Sequence, residues 1–381
     1  MPNRSLPLSA YTATMAPTKF NFSAGPALLP KEVLLEAQKG LVDYEGTGMS
    51  VMEMSHRSAN YDKVHRHCID MIRKVLDIPT NYHVLLLAGG ATYQFSAIPF
   101  NLLGDGNAVY VNTGTWSKKA STEAKRLFGE RIKVVSTPTF TLPKVEDIEI
   151  PENCKYVYVC DNETVHGVEW PSAPVFGDVP LVADMSSNLF SRRLDISKYG
   201  MIYGCAQKNF GPAGLTVAII REDLVGAAHP MCPVLMTYKT HVAKTWPAER
   251  NQDSLYNTPP TLCIWITMLV MEWIDRCGGI DGIEKMNRDK AAMLYNYIDS
   301  SPFWTTFVEG EIRSQMNVVF KCTKDDVDRA EILDFFQERG MSSLKGHKSL
   351  VGSLRASIYN AMPKEGVECL IQAMKDFEAA H

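Results

Sequence analysis

The sequence has little excess charge and no long apolar run. Its 39 Lys and Arg residues against 43 Asp and Glu leave a net charge of −4, which offers no positive field for nucleic acid or an anionic membrane. The longest apolar stretch, Leu262–Met271, is far shorter than the roughly 20 residues that cross a bilayer. We therefore predict a buried helix there, and any anion that the chain binds must be held by a local site.

The sequence also lacks a cysteine framework. Its nine cysteines are scattered and form no C-x-x-C pair, and many lie in apolar runs, which is typical of reduced thiols in an intracellular protein. We expect a cytoplasmic location. The segment from His65 to Cys68 contains metal-ligand residue types, but on a helix His67 would point away from the other two and no second ligand pair is near. No metal site is predicted.

The first residues are poor in acid and rich in hydroxyl side chains. Residues 1–20 contain Arg4, Lys19, five Ser or Thr and no Asp or Glu. We expect a disordered tail over 1–19. An organellar transit peptide, although a weak one, and a second start at Met15 stay open.

Apolar β-type runs alternate with helical patterns through the first part of the chain. The runs cover residues 83–87, 108–111, 132–135, 155–160, 180–183, 201–205 and 215–220. Nearly continuous apolar strands separated by helices predict a mainly parallel sheet covered on both faces. We predict an α/β fold, with a large domain over 20–277 around a seven-stranded type of sheet and a smaller α+β C-terminal domain over 278–381. The first residues after the tail could pack on the small domain.

An acid and a lysine follow two of these strands. Asp184 ends the run 180–183, and Lys208 follows the run 201–205 just before a glycine-rich turn. Ligands bind at the carboxyl ends of such strands. A lysine there can form an imine with an aldehyde cofactor, and an aspartate can pair with a protonated pyridine nitrogen. Taken singly, the two residues could equally be a helix cap and a surface lysine.

Other strand ends carry side chains that would suit a flat, phosphorylated cofactor. Residues 89–92 could offer amides to a phosphate or form a plain turn, and they match neither nucleotide glycine motif. Trp116 could stack on a ring or fill the core. Thr164 could bind a phenolic oxygen or belong to an Asx turn. Asn257 and Thr258 could simply cap the following helix.

Basic residues lie in two distant segments. His56 and Arg57 form one, and His347, Lys348 and Arg355 form the other. The planar arginine fork is suited to carboxylate and phosphate groups. Scattered solvated charges would explain the same residues.

Together these segments resemble the class V aminotransferases of the fold-type I pyridoxal-phosphate enzymes, and among them those that act on phosphoserine. The likeness runs from about Phe20 to Ala379 and is carried, in this order, by FNFSAGPALLP, SVMEMSHRS, NETVHG, ADMSS, AQKNFGPAGLT, YNTPPT and LRASIYNAMP. It implies pyridoxal 5'-phosphate as the cofactor. It also implies a transaminase of serine biosynthesis that interconverts O-phospho-L-serine plus 2-oxoglutarate with 3-phosphohydroxypyruvate plus L-glutamate by a ping-pong mechanism.

The resemblance implies a role for each candidate residue. Lys208 would carry the imine and move the proton, Asp184 would pair with the ring nitrogen, and Trp116 would stack on the ring. Thr164 would hold the phenolic oxygen. The cofactor phosphate would be bound by Ala91, Thr92, Ser186 and Gln207 and, from the partner subunit of a homodimer, by Asn257 and Thr258. The substrate anions would be bound by His56, Arg57, His347, Lys348 and Arg355.

The sequence departs from the family pattern in two places. The phosphate loop at 89–93 has fewer glycines than in many relatives, and Gly346-His347-Lys348 stands where Gly-His-Arg is usual, with one extra residue before Arg355. Lysine offers a point charge instead of a fork. Phosphate affinity or substrate preference could therefore differ.

Four other functions compete with this interpretation. A cysteine desulfurase would need a nucleophilic cysteine on a mobile loop, and no cysteine has a Gly/Ser-rich loop around it. An aminotransferase for alanine or serine with glyoxylate would have less need of phosphate-binding residues. A non-catalytic relative would be expected to lose Lys208 or Asp184, and a nucleotide-binding module would need a glycine motif that the chain lacks.

Overall fold

The computed structural model describes residues 19–242 and 254–381. The predictions for residues 1–18 lie outside the described residues. Within the described ranges no helix is long and apolar enough to cross a membrane. The strands are β1 Phe20–Asn21, β2 Tyr82–Ala88, β3 Asn107–Asn112, β4 Ile132–Ser136, β5 Cys154–Cys160, β6 Asn162–Glu163, β7 Val168–Glu169, β8 Leu181–Asp184, β9 Met201–Cys205, β10 Leu215–Arg221, β11 Trp304–Thr306, β12 Asn317–Cys322, β13 Met341–Ser342 and β14 Leu354–Ser357.

The helices lie between these strands and, in the C-terminal part, cover them. Gly, Pro or Asx residues border most of them, as the preferences for helix ends predict. The helices are α1 Lys31–Gly40, α2 Ala59–Leu76, α3 Thr92–Leu102, α4 Thr115–Phe128, α5 Tyr238–His241, α6 Thr261–Arg276, α7 Gly279–Ser300, α8 Arg329–Glu338 and α9 Lys364–Ala380.

A seven-stranded sheet forms the centre of the larger part, in the order β2-β10-β9-β8-β5-β3-β4. The neighbours from β9 to β4 are parallel, whereas β10 runs antiparallel to both β9 and β2. The predicted α/β fold with a mainly parallel sheet is confirmed. The antiparallel strand follows from the short connection after Cys205, because nine residues cannot form a parallel crossover.

The sheet is buried on both faces. On β2, Val84 and Leu86 face the core formed with α1, α2 and α6. Leu85 and Leu87 point the other way, into the core formed with α3 and α4. This double burial explains why the strands read as continuous apolar runs instead of alternating ones.

The C-terminal part contains a three-stranded sheet, β11-β12-β14, with its own hydrophobic core. β1 pairs with β13, and Phe22 is fully buried in that core. Helix α7 contributes Ile283 to the core of the large sheet and Leu294 to the C-terminal core. The division of the chain at residue 277 stays a prediction, and α7 is the element that joins the two cores.

Candidate active site

A cavity lies at the carboxyl ends of β5, β8 and β9, between the large sheet and β14. Parallel pairing places Cys160 beside Asp184 and Asp184 beside Tyr203, so these strand ends share one edge. Ten of the predicted site residues line this cavity: Ala91, Thr92, Trp116, Thr164, Asp184, Ser186, Gln207, Lys208, His347 and Arg355.

Asp184 is a buried carboxylate with two neutral donors. Its Oδ1 accepts from the backbone N–H of Ser186 at 2.9 Å and its Oδ2 from the hydroxyl of Tyr203 at 3.0 Å. Within the described residues no Lys, Arg or His lies within ion-pair distance of it. A buried carboxylate without a cation is costly unless a charged group joins it. This carboxylate is therefore suited to bind a cation that enters the cavity.

Lys208 extends into the same cavity from the turn after β9. Its Nζ donates to Thr164 Oγ1 at 3.0 Å and lies 5.6 Å from the centroid of the Trp116 ring. Burial lowers the pKa of Lys208, but the acidic groups of Tyr359, Cys205 and Asp184 outweigh this effect and hold its pKa above the ordinary value. An amine that is to bond an aldehyde must first lose this proton.

The opposite wall carries cations from β14 and the loop before it. Arg355 donates from Nη1 to the carbonyl oxygen of Thr164 at 3.4 Å, and its Nε has no partner among the described residues. Burial lowers the pKa of Arg355, although Tyr359 opposes that shift. His347 Nδ1 accepts from the Ser349 N–H at 3.2 Å, which leaves the proton of the neutral ring on Nε2. Both side chains can therefore donate to an anion.

The start of α3 forms the end of the cavity suited to a phosphate. Gly89 has φ +101°, which turns the chain from β2 into the helix. The N-cap residue Ala91 contributes no side-chain hydrogen bond, and the amides of Tyr93 and Gln94 donate to backbone carbonyls of the same turn. The amides of Ala91 and Thr92, which line the cavity, are therefore the ones suited to a phosphate. Ser186 and Gln207 line the same cavity, and the buried Oε1 of Gln207 has no partner among the described residues.

Five predicted residues do not line this cavity. His56 is half-buried and Arg57 is exposed on the segment before α2, and Lys348 is exposed beside His347. Asn257 and Thr258 are exposed, and Asn257 lines a separate surface hollow with Gly89 and Tyr93. A single chain thus does not bring these residues to the site that the sequence analysis assigned them. Their roles stay predictions.

Sequence reasoning missed Tyr203, which orients Asp184, and the cavity wall formed by Ala24 and Gly25. The sequence places Tyr203 in the strand before Lys208, which could have drawn attention to it. That Tyr203 lies beside Asp184 follows only from the register of β8 and β9. A side chain on Gly25 would reach within 3.5 Å of Lys208 Cγ. No group of three His, Cys, Asp or Glu side chains that could hold a metal occurs in the part of the chain that the structure describes.

The residues present fit a pyridoxal-type group. The cavity combines a lysine, a buried carboxylate without a cation, an indole beside the lysine and a helix start for a phosphate. The buried Trp116 Nε1 and Arg355 Nε also lack partners among the described residues. Such unsatisfied polar atoms are expected where a ligand completes the site.

Comparison with known proteins agrees with this chemistry. The family model for class-V aminotransferases matches residues 19–370. A phosphoserine aminotransferase of Bacillus cereus is 46% identical over 363 residues, which are 94% of this chain and 98% of the relative. The solved phosphoserine aminotransferase of Bacillus circulans subsp. alkalophilus superimposes with a TM-score of 0.90 at 42% identity, over 96% of this chain and 99% of its own. A pyridoxal-phosphate-bound phosphoserine aminotransferase of Trichomonas vaginalis gives a TM-score of 0.87 at 40% identity, over 94% and 99%.

The chain belongs to the class V aminotransferase family. Within that family, its similarity is to the phosphoserine aminotransferases. The predicted family and fold class are confirmed. Pyridoxal phosphate is the cofactor of this family, as the sequence analysis predicted, and the cavity residues fit it.

Proposed function

We propose that the chain is a pyridoxal-phosphate-dependent transaminase that interconverts phosphoserine plus 2-oxoglutarate with 3-phosphohydroxypyruvate plus glutamate. The observation that carries this proposal is the placement of the Lys208 amine and the Asp184 carboxylate in one cavity with His347 and Arg355 at its other wall. The first pair suits the cofactor, and the second suits anionic substrates. The 46% identity to a phosphoserine aminotransferase supports the same substrate.

Bound in this cavity, pyridoxal phosphate supplies an electron sink that stabilises negative charge at the substrate Cα. Asp184 keeps the ring nitrogen protonated, because a buried negative charge favours the charged form of its neighbour. Lys208 Nζ would act as a general base that takes the proton from the substrate Cα. It would then act as a general acid and return a proton to the carbon on the other side of the shared nitrogen. Thr164 orients that amine through the 3.0 Å hydrogen bond. Trp116 limits the movement of the ring.

The cationic wall explains how one site serves two substrates. Phosphoserine carries a carboxylate and a phosphate, and glutamate carries two carboxylates. Arg355 and His347 present N–H donors that bind either oxyanion, and Arg355 has no carboxylate partner among the described residues. Lys348 is exposed next to His347 and adds a positive charge at the edge of the site.

A homodimer would complete the site. Asn257, Thr258, His56 and Arg57 do not line the cavity of their own chain, so we propose that a second copy supplies them, with Asn257 and Thr258 reaching the cofactor phosphate and His56 and Arg57 the substrate. The two residue pairs lie on surface segments that a symmetric partner can approach.

Hybrid dimers test the shared site. Lys208→Ala chains and Asn257→Ala/Thr258→Ala chains are refolded together in equal amounts. Random pairing gives hybrids with one intact site, so the mixture should recover about a quarter of wild-type activity. A mixture no more active than the separate variants would mean that each chain builds its own site.

The cysteines support a reducing compartment. All nine are free thiols, and burial raises the pKa of Cys160, which lines the cavity, well above its ordinary value. We propose a cytoplasmic location on this basis. Fractionation of cells that express the full chain tests it, and recovery of the protein in an organellar fraction would contradict it.

The activity itself is tested with purified protein and pyridoxal phosphate. Phosphoserine and 2-oxoglutarate should yield glutamate, and serine or alanine at the same concentration should yield far less. Lys208→Ala should abolish turnover, whereas Lys198→Ala, a change of an exposed lysine ten residues away, should not. Preferred turnover of serine or alanine would contradict the substrate assignment.

A further inference from the structure

Glu163 is a buried carboxylate that touches the first turn of α4 from the other side of the cavity wall. It is 0% exposed. Its Oε2 accepts from the backbone N–H of Trp116 at 3.0 Å, and its Oε1 accepts from the N–H of Ser117 at 2.8 Å and from the Ser117 hydroxyl at 2.6 Å. The cavity itself is lined by its two neighbours, Asn162 and Thr164, and by Trp116, but not by Glu163.

This contact replaces a local helix cap. Helix α4 begins after Gly114, which has no side chain to cap it, so the first amides are satisfied by Glu163 from a segment 46 residues away. The hydroxyl of Ser117 also accepts from the N–H groups of Thr113 and Gly114, at 2.9 and 3.1 Å. A carboxylate at a helix N-terminus is further stabilised by the helix dipole. The turn is thus held by two side chains, Glu163 and the Ser117 hydroxyl that donates to it.

The carboxylate has little room to move. A Cβ added at Gly114 would lie 2.6 Å from Glu163 Cδ and 2.6 Å from His166 Nδ1, so only glycine allows this approach. Among the described residues no Lys, Arg or His forms an ion pair with Glu163. Burial raises the pKa of Glu163, and the bonds donated by Ser117 and Trp116 oppose the rise. Its role is therefore fixed by hydrogen bonds to α4.

We propose that Glu163 is a positioning residue that fixes the indole of Trp116 over the cofactor plane and couples it to Thr164. This inference rests on the proposed function, because it requires that Trp116 stacks on the bound ring. Thr164 follows Glu163 directly and accepts from Lys208, and Lys208 lies 5.6 Å from the Trp116 ring. The buried carboxylate of Glu163 therefore links the backbone of Trp116 to Thr164, the hydrogen-bond partner of Lys208.

The test compares Glu163→Gln with Glu169→Gln. Glu169 is a buried carboxylate of the same hairpin, but it binds Arg192, Asn188 and the backbone of Gln315 instead of α4. A glutamine side chain has one oxygen that accepts hydrogen bonds, whereas Glu163 accepts at two. In the cofactor-free Glu163→Gln protein, the amides of Trp116 and Ser117 should therefore exchange their hydrogens faster. Glu169→Gln should leave that exchange unchanged.

The second readout is the cofactor. Titration with pyridoxal phosphate, followed by absorbance and by circular dichroism of the cofactor band, should show affinity about tenfold weaker and a changed dichroic amplitude for Glu163→Gln, by loss of charge-assisted hydrogen bonds. In a Trp116→Ala background the same change should have little further effect, because residues that act through one another are non-additive.

Three results would overturn the inference while leaving the proposed function intact. These are unchanged exchange at Trp116 and Ser117, cofactor affinity equal to that of the wild type, and full additivity with Trp116→Ala. A wild-type chain that binds no pyridoxal phosphate would instead overturn the proposed function, and this inference with it. If Glu163→Gln does not fold, Ser117→Ala, which removes the hydroxyl bond to Glu163, takes its place with the same expected and contradicting results.

Discussion

The hydroxyl of Tyr203 donates to Asp184 Oδ2 at 3.0 Å across the parallel strands β8 and β9, whose register places the two residues side by side. Because its proton is donated to Asp184, the Tyr203 hydroxyl accepts a 2.7 Å hydrogen bond from the hydroxyl of Tyr158. Burial, and then the charge of Asp184, raises the pKa of Tyr203 well above its ordinary range, so it stays a neutral donor. The aspartate is thus oriented without losing the charge that the cofactor nitrogen needs.

Two variants distinguish the effect of the Asp184 charge from the effect of its orientation by Tyr203. Asp184→Asn removes the charge and should lower kcat by at least about a hundredfold, whereas Tyr203→Phe keeps the charge, removes one hydrogen bond to it and should weaken cofactor binding by about 2 kcal/mol. Tyr110→Phe, whose hydroxyl bonds Tyr156 on the same sheet, is the matched control. Titration with the cofactor and steady-state kinetics measure both effects. Equal losses for Tyr203→Phe and Asp184→Asn would mean that the carboxylate charge is not what matters.

The raised pKa of Lys208 predicts how the cofactor-free protein captures pyridoxal phosphate. Burial lowers this pKa, but Tyr359, Cys205 and Asp184 raise it by more than burial lowers it. The neutral amine is therefore scarce at neutral pH, and its fraction increases as pH rises. The rate of capture should therefore rise between pH 7 and 9, by up to about tenfold per unit. Stopped-flow absorbance measures this rate. The reaction of pyridoxal phosphate with Nα-acetyl-lysine, measured at the same pH values, corrects for titration of the cofactor. A rate that falls with pH would contradict this prediction.

Arg355 is expected to serve the substrate more than the cofactor. Its Nε is buried without a partner among the described residues, and the hydrogen bond from its Nη1 to the carbonyl oxygen of Thr164 is long at 3.4 Å. Arg355→Ala should raise KM for phosphoserine by about 10²-fold, as expected for loss of a bidentate ion pair, and change cofactor affinity little. Arg313→Ala, which removes an arginine that is paired with Asp299 and does not line the cavity, should leave KM unchanged. Equal losses of substrate and cofactor would show that Arg355 serves the fold.

Lys290 on α7 gives a stability prediction. It is 2% exposed, and its Nζ donates to the backbone carbonyls of Ile358, Tyr359 and Met362 at 3.1, 2.8 and 2.9 Å. Lys290→Met removes the donor from all three carbonyls, of which only that of Tyr359 keeps another partner among the described residues, the N–H of Met362. The change should lower the free energy of unfolding by about 3 kcal/mol. Lys285→Met, at an exposed lysine of the same helix, should change it by less than about 0.5 kcal/mol.

The same lysine predicts a pH dependence. Burial lowers the pKa of Lys290 from 10.5 to about 7 in the folded chain. Between these values the unfolded chain binds more protons than the folded one, so this group makes the wild type more stable as pH rises from about 7 towards 10. Urea unfolding at several pH values should show a larger gap between the wild type and Lys290→Met at pH 9 than at pH 6.5. A gap that shrinks with rising pH would contradict the lowered pKa.

The strands were predictable because burial on both faces leaves a local signal. The run 201–205 coincides with β9, the run 83–87 falls short of β2 by one residue at each end, and the run 215–220 falls short of β10 by one residue. Helix α4 begins at Thr115, after a glycine that has no side chain to cap it. Its cap comes from Glu163, and a cap supplied by a distant segment leaves no trace in the local sequence.

The parts of the site that depend on long-range strand pairing could not be predicted from the sequence. The pair Asp184 and Lys208 was accessible to sequence reasoning because both follow strand ends, and the cavity contains both. The pairing of β1 with β13, whose paired residues are 321 positions apart, and the register that places Tyr203 beside Asp184 depend on the folded sheets. His56 and Arg57 can bind anions, but they do not line the cavity of their own chain, and their role in substrate binding stays a prediction.

The most direct measurement is the visible absorbance spectrum of the purified protein with pyridoxal phosphate, before and after L-phosphoserine is added. The yellow band of the lysine-bound cofactor should be lost with phosphoserine and return with 2-oxoglutarate, because each half of the transfer is then completed in the one cavity that holds Lys208 and Arg355. A band that phosphoserine leaves untouched while alanine or serine removes it would contradict the substrate assignment. A protein that shows no band with pyridoxal phosphate would contradict the roles of Lys208 and Asp184.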